Sequence, residues 1–471
     1  MGLFMTLADM LGASGDWPPP SQAQVWSDVE LYQALLCSDE TRLRQEQSIQ
    51  WNERYLISPV PRMISRAKAN LLFGELPEIT AGNDTDQERL DFLVEEQGLM
   101  AELHRAAVMA SAEGEIWGRV VVDPNACAVP IVEFVSRSRV IPHFNGRFVA
   151  GATFVTTWET GRTERVRLLE TYEAGRIESR LYRGTDIRLG LEIDLGSFEY
   201  TAGRQERVQT GIDWPLVAFM PNSIDTDPTR GYSDYQGLRD RFLAINDALT
   251  VGQDNLDLAG RKRALVDGKY LRNGQLPKGD DVFIADARVT GDGVNSKPLQ
   301  VIDYSFDASE TVAWINHLID STLSLAGVSP QQVGRSVDGG AVSGTALRLK
   351  MSHSLLEAAG TGRYMDRGIT RLLHAAQILD ARTAADGGFG RKWTEPDTPP
   401  SIVRQDGLPR DDTEAAAQLV QLVNADAISL EQRVAFLHPD WTEAQRVEEI
   451  DRLRAEHTGL VAPEPFTPQH L

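Results

Sequence analysis

Cysteine is almost absent: Cys37 and Cys127 are the only two in 471 residues. They provide neither a disulfide framework nor a thiolate metal cluster, and such sparse use fits a reducing compartment. Long apolar runs are missing as well. No stretch approaches the ~20 residues that a membrane helix requires. The opening MGLFMTLADM lacks a basic n-region and does not read as a signal peptide. Its Gly2 and Thr6 fit the myristoylation pattern, which is short and permissive enough to arise by chance. The chain also has no GxxxxGK followed by Ser or Thr, so no standard phosphate loop for ATP. Neither HExxH nor CxxC occurs, and the eight histidines are scattered singly. His353 and His374 share one helical stretch but lie far outside i,i+4 reach. Positive charge is in short supply too, with 47 Lys and Arg against 68 Asp and Glu, a formal net charge of −21. Such a surface repels nucleic acid at long range, so composition alone argues against a protein that grips DNA.

What is present describes an ordinary folded protein, 42% hydrophobic and 24% charged. The length allows several domains or one elongated, multi-part subunit. Residues 1–26 read as a flexible arm containing Pro18-Pro19-Pro20. Trp26 to Arg42 carries Val29, Tyr32, Leu35 and Leu36 at helical spacing. Val60 to Leu72 reads as a helix stopped by Gly74 and Pro77. Thr85 to Glu113 reads as a third helix, with Leu90, Leu93, Leu103, Ala107 and Ala110 on one side. From Ile116 to Met220 the character changes to short β-rich runs at 118–122, 130–135, 148–158, 166–172, 177–182 and 215–220, closed by Pro221-Asn222. The expected fold class is therefore α+β with antiparallel sheet.

Ser233 to Ala259 reads as helical, with Ser233 and Gln236 forming a capping box. Tyr235, Leu238, Phe242, Ile245, Leu249 and Leu256 step by three and four, a period that favours packing against other helices, although an ordinary core helix carries the same stripe. A similar helix runs from Ser309 to Ala326. The two bracket a turn-rich module containing Asp267-Gly268, Asn273-Gly274, Lys278-Gly279 and Gly291-Asp292-Gly293. A Gly/Ser-rich loop, Gly334 to Ser343, then feeds directly into a helical pattern from Thr345 to Asp386 with no proline before Pro396. Unbroken, that helix would be about 63 Å long at 1.5 Å per residue. Gly360, Gly362 and Gly368 weaken it by about 1 kcal/mol each relative to alanine, and a kink is expected there. Gly387-Gly388 supplies its stop. Arg391 to Asp406, with Pro396, Pro399 and Pro400, reads as an extended crossing. Thr413 to Val423 is helical, and the pairs Ser429/Gln432 and Thr442/Gln445 cap two further helices.

The junction Val342-Ser-Gly-Thr-Ala-Leu-Arg-Leu-Lys-Met351 resembles the one that opens the longest helix of bacteriophage portal proteins, nearest to the portals of tailed phages of Gram-positive hosts. The resemblance runs in order from about Ser27 to about His457. It implies an elongated portal-type subunit: an N-terminal arm (1–26), an α+β wing (27–232), a stem helix (233–260), a small α/β clip (261–308) and a second stem helix (309–327). A tunnel loop (328–343), a long kinked helix (344–388), a segment returning to the wing (389–410), crown helices (411–457) and a disordered tail (458–471) complete it. It implies a ring, usually of twelve, at one vertex of the capsid. That ring passes double-stranded DNA without sequence specificity, docks the terminase large subunit, and later holds head-completion and adaptor proteins. Contacts with major capsid and scaffolding protein, a place at the portal vertex of the virion, assembly in the host cytoplasm, and no membrane, cofactor, metal or catalytic residue are implied with it.

In that frame the shortage of positive charge changes meaning. Each phosphate neutralised by a channel adds affinity and so friction. The tunnel loop would bring Gln331, Gln332, Arg335, Ser336 and Asp338 closest to DNA, nearly neutral in sum because Arg335 and Asp338 oppose one another. The ordinary alternative is a connector without such a role. One basic cluster, Arg261, Lys262, Arg263, Lys269 and Arg272, would fall in the clip, facing DNA or an acidic partner. Its plainer explanation is cationic residues near a helix C-terminus and a solvated turn. The acidic pairs Asp280-Asp281 and Asp411-Asp412 sit at turns or before a helix, where aspartate is favoured for local reasons. Two other classes compete: a metal-dependent terminase or nuclease using clustered carboxylates, and a different head–tail connector without a bore.

Overall fold

The fold is given by a computed structural model. It describes residues 15–46, 54–123, 127, 129–259, 263–267, 282–286, 299–302, 308–335, 344–385, 394–404, 412–425, 427–438, 441 and 443–459. The chain divides into two compact units, one from Met1–Val337 with Met351–Gly407, the other from Asp338–Lys350 with Leu408–Leu471.

The larger unit begins with helices α1 (Pro20–Cys37), α2 (Glu40–Gln45) and α3 (Val60–Phe73). Pro61 occupies the first turn of α3, where a missing N–H leaves nothing unpaired, and Val60, Ile64, Ala67 and Leu71 form its buried face. A short strand β1 (Glu78–Thr80) follows. The helical stretch expected from Thr85 to Glu113 is two helices, α4 (Asp84–Glu96) and α5 (Leu99–Glu113), because Gly98 between them adopts a φ of 62°. Asn83 starts α4 by accepting the Asp86 N–H at 2.9 Å.

The β-rich stretch supplies β2 (Glu115–Val121), β3 (Ile131–Ser136), β4 (Val140–Asn145), β5 (Phe148–Glu159), β6 (Glu164–Glu173), β7 (Arg176–Thr185), β8 (Arg188–Ile193), β9 (Arg207–Gln209) and β10 (Val217–Pro221). They form a three-stranded sheet ordered β10-β2-β3 and a six-stranded one ordered β4-β5-β6-β7-β8, with β9 on β7. All their pairings are antiparallel, as the α+β reading requires. Proline disfavours a central strand, but β4 tolerates Pro142 because it lies at the sheet edge. Arg119 joins the two sheets: it pairs with Glu133 on β3 at 2.7 Å and Glu170 on β6 at 2.8 Å, with its guanidinium over the Phe154 ring.

Buried in the six-stranded sheet, His143 Nε2 lies 3.0 Å from Thr153 Oγ1, which bonds Thr171 Oγ1 at 2.9 Å. Burial pulls the His143 pKa below its ordinary value, with Glu173 opposing. The folded state then binds fewer protons than the unfolded one. Its stability is complete above the unfolded value of about 6.5 and is lost as pH falls through the lower folded value. Burial acts on His374 in the same direction. A His143→Gln variant is therefore expected to lose less thermal stability than wild type between pH 7.5 and 5, measured by circular dichroism.

Helix α6 (Arg239–Ala259) starts later than the sequence pattern implied. Ser233 does not cap it through Gln236: its hydroxyl donates to the Ala112 carbonyl at 2.6 Å and accepts from the Tyr235 N–H at 2.9 Å, and Gly237 then turns the chain with a φ of 76°. Helix α7 (Ala308–Leu325) runs antiparallel to α6, since Arg241 bonds Ser321 at 3.1 Å while Gly252 lies against Thr311. Between them β11 (Arg263–Asp267), β12 (Val282–Asp286) and β13 (Leu299–Ile302) form a small sheet ordered β12-β11-β13. The first pair is parallel and the second antiparallel.

The long helix α8 (Gly344–Ala385) is a single 42-residue element. Two of its glycines serve close packing. A Cβ on Gly368 would lie 2.2 Å from Met220 Cγ of β10, and one on Gly362 would touch Leu72 of α3. Gly118 of β2 meets the same helix at the Leu372 side chain, so helix and three-stranded sheet each use a glycine to make room for the other's side chain. Gly368→Val should overpack this contact and cost about 1–3 kcal/mol, seen as a lower urea midpoint at unchanged slope. Beyond α8, β14 (Ser401–Val403) pairs antiparallel with β1, with Ile402 opposite Ile79. The returning segment thus joins β1 in its own two-stranded sheet, apart from the six-stranded one.

The smaller unit contains α9 (Asp412–Asn424), α10 (Leu430–Leu437) and α11 (Glu443–Gly459). Ser429 caps α10 by accepting the Gln432 N–H at 3.3 Å, as the sequence pair implied. Arg454 of α11 pairs with Glu431 of α10 at 2.7 Å. Among the described residues no helix is long and apolar enough to cross a membrane.

Candidate functional site

The loop singled out in the sequence leaves α7 through Gly327, whose φ of 72° ends the helix while the Val328 N–H bonds the Leu323 carbonyl at 2.9 Å. Val328 is buried with Leu323, Ile64, Ala67, Tyr235 and Phe242, in the core shared by α1, α3, α6 and α7. The Ser329 N–H reaches across to Ser354 Oγ of α8 at 2.8 Å. A 3₁₀ turn, Pro330–Val333, follows. Its Gln332 Nε2 donates to the Ala67 carbonyl of α3 at 2.6 Å, and Gln331 Oε1 accepts from Ser329 Oγ at 2.6 Å. Arg335 folds back on α7, donating to Asp320 at 2.7 Å and to Asn316 at 2.8 Å. The base of the loop is therefore held on one side by α7 and α3 and on the other by α8.

Of the five loop residues that the resemblance placed nearest DNA, Gln331, Gln332 and Arg335 are described, and all three bond groups of their own subunit. Ser336 and Asp338 lie outside the described residues. So do Arg261, Lys262, Lys269 and Arg272 of the basic cluster, while Arg263 opens β11, paired with Val282 and Ile302. The acidic pair Asp280-Asp281 and residue Asp411 are likewise outside, and Asp412 begins α9.

Beneath the loop lies a polar hub that sequence reading missed. Asp234, just ahead of α6, accepts from Lys68 Nζ at 2.9 Å, Ser111 Oγ at 2.6 Å and Asn222 Nδ2 at 2.8 Å. Ser111 Oγ also lies 3.0 Å from Ser65 Oγ, and the Tyr235 hydroxyl donates to the Pro61 carbonyl at 2.8 Å. Thr361 of α8 donates to the Asn222 carbonyl at 2.7 Å. One carboxylate thus ties α3, α5 and the end of β10 to the entry of α6, and Asn222 extends the tie to α8. Buried ion pairs need this full set of partners to offset desolvation. No sequence signal marks the hub, because its members are brought together only by folding.

A second clamp fixes the C-terminal part of α8. Arg89 of α4, only 1% exposed, pairs with Asp380 at 3.1 Å, donates to the Thr394 carbonyl at 2.8 Å, and donates to the Gln377 carbonyl. Among the described residues no group of three or more His, Cys, Asp or Glu side chains is placed to hold a metal ion. Hub and clamp position helices.

Several solved structures share similarity with most of the chain. One, described as "Virion of native gene transfer agent (GTA) particle", is 14% identical with a TM-score of 0.44, covering 90% of this chain and 96% of that chain. A second, "Neck of native GTA particle computed with C12 symmetry", is 15% identical with a TM-score of 0.40, covering 81% and 89%. A third, "Neck of empty GTA particle computed with C6 symmetry", is 14% identical with a TM-score of 0.44, covering 81% and 90%. No curated protein sequence matches the chain. The family model described as "Phage portal protein, SPP1 Gp6-like" matches residues 50–459. That span takes in α6 and α7, the small sheet between them, the loop and its anchors, the long helix and the C-terminal helices, so the chain belongs to the phage portal protein family, SPP1 Gp6-like.

Proposed function

We propose that copies of this portal protein close into a ring, of about twelve in the family pattern, whose bore passes double-stranded DNA during packaging and ejection. The observation that carries this reading is the family match across residues 50–459. The element order supports it: antiparallel helices α6 and α7 flank a small sheet, and a loop anchored at its base leads into α8. In this reading residues 328–343 line the bore and the 261–308 module meets the terminase large subunit. Head-completion and adaptor proteins follow the terminase, and capsid and scaffolding proteins meet the assembling ring at the portal vertex. The net charge of −21 per subunit favours passage over grip. It also means that subunits repel one another, so ring closure needs apolar contact. Exposed Val251 and Leu256 on α6 and exposed Val312 and Trp314 on α7 are suited to supply it.

The protein performs no covalent chemistry in this reading. The purified chain is expected to show no ATP hydrolysis and no nuclease activity with Mg²⁺. Its binding to duplex DNA should be weak, indifferent to sequence and lost with added salt. Steady nucleotide turnover that disappears on replacing paired acids would instead support a terminase or nuclease.

A further inference from the structure

Helix α8 buries Met351, Ala358, Met365, Ile369, Leu372 and Ala376 on one side. The opposite side carries exposed Leu356 and Tyr364, exposed Arg363 and Arg367, and Gly360, which faces open space. Arg371 continues the row in a half-buried position, with its Nε buried and unbonded. Arg363, Arg367 and Arg371 are spaced i, i+4, i+8 and have no ion-pair partner among the described residues. Like charges at this spacing destabilise a lone helix. Burial, together with repulsion from Arg367, lowers the pKa of Arg371. In a chain of net charge −21, an unpaired arginine row calls for a negative counterpart.

Helix α4 offers one of matching length. Asp84, Glu88, Asp91 and Glu95 follow one another at i, i+4, i+7 and i+11, all exposed, with exposed Glu96 beside them. Asp91 is bonded by Gln87, whereas Asp84, Glu88, Glu95 and Glu96 have no side-chain partner among the described residues. Glu95 and Glu96 also sit at the C-terminal end of the helix, where no basic residue offsets the dipole. At 1.5 Å per residue the arginine row is about 12 Å long and the carboxylate row about 17 Å.

We propose that in the assembled ring the Arg363–Arg367–Arg371 row of α8 docks on the Asp84–Glu88–Asp91–Glu95 row of α4 in the neighbouring copy. This rests on the ring reading above. A contact between two different faces of identical subunits is head-to-tail and closes into a ring when the rotation allows. The paired rows set orientation and register between subunits that otherwise repel. Leu356 and Tyr364, beside the arginines, give the contact an apolar centre, and Tyr and Arg are frequent anchors of such contacts.

The test uses the full-length chain and mass photometry across a concentration series, with circular dichroism as the folding control. Arg363→Glu with Arg367→Glu, and separately Glu88→Arg with Glu95→Arg, should each raise the concentration for half-assembly about tenfold or more. Combining all four changes should restore most of the loss. The single swaps Arg363→Glu and Glu88→Arg, alone and together, give the same comparison at half the charge change. Reversal variants that assemble like wild type, or a combined variant that folds without recovering rings, would overturn the proposal. If the arginine variant assembles normally but loses duplex binding, the row is a phosphate contact and the proposal fails. A wild-type chain that never forms rings would instead remove the ring reading itself, so the two failures are distinct.

Discussion

Replacing Arg89 by alanine is expected to destabilise the larger unit by about 3–5 kcal/mol, the usual penalty for stripping one partner from a buried ion pair. The Arg89 and Asp380 side chains are 1% and 5% exposed. Burial pulls the guanidinium pKa down and Asp380 opposes it, so each charge relies on the other. Alanine would leave the Asp380 carboxylate enclosed with its cation gone. It would also remove the donors to the Gln377 and Thr394 carbonyls. Urea denaturation should show the midpoint falling steeply with little change in slope. Arg89→Met combined with Asp380→Leu should recover a large part of the loss, because no charge is then stranded, and the cycle gives the coupling energy. A loss under about 1 kcal/mol in the single variant would mean that water reaches the pair and that the clamp on α8 is weak.

Shortening the segment between Gly334 and Ala341 should leave rings intact while heads fail to fill with DNA or to keep it. The reasoning starts from the anchors. Ser329 is bonded to Ser354 and Gln332 to Ala67, so the base of the loop is fixed without the residues removed. Packing around Val328 is likewise independent of them. Arg335 does contribute a contact, to Asp320 and Asn316. An Arg335→Ala control therefore separates loss of that pair from loss of loop length. The readout is the fraction of DNA-filled particles in lysates complemented with each variant. Heads that fill and hold DNA normally would show that the loop has no part in passage.

Much of this architecture is legible in the chain, for reasons that differ by element. The expected limits of α8, Thr345 to Asp386, lie beside the observed Gly344–Ala385, because a proline-free pattern is bounded by small residues at both ends. Helix α3 was equally readable, with proline at its first turn and glycine at its end. Failures cluster where a local signal was overruled by a distant partner. Ser233 and Gln236 have the spacing of a cap, yet the Ser233 hydroxyl is taken by Ala112 and Tyr235. Strand β4 was not among the β-rich runs read from the sequence; it carries Pro142, which is tolerated because that strand lies at an edge. The glycines of α8 read as weak points in isolation. One of them, Gly368, is a contact that needs the absence of a side chain, and Gly362 packs beside Leu72. The Asp234 hub and the Arg89 clamp could not be read at all, since their partners lie far away in sequence.

The loop itself was recognisable from composition and position, but the behaviour of its side chains was not. The resemblance placed Gln331, Gln332 and Arg335 nearest DNA, and each is engaged within the subunit. In the proposed channel their part is positional: they fix the base of the loop.

Electron microscopy of the purified full-length protein tests the central claim most directly. The account predicts closed rings with cyclic symmetry and a continuous central opening wide enough for duplex DNA. Particles that remain compact monomers under every condition of salt and concentration, or rings whose centre is filled by protein, would contradict it.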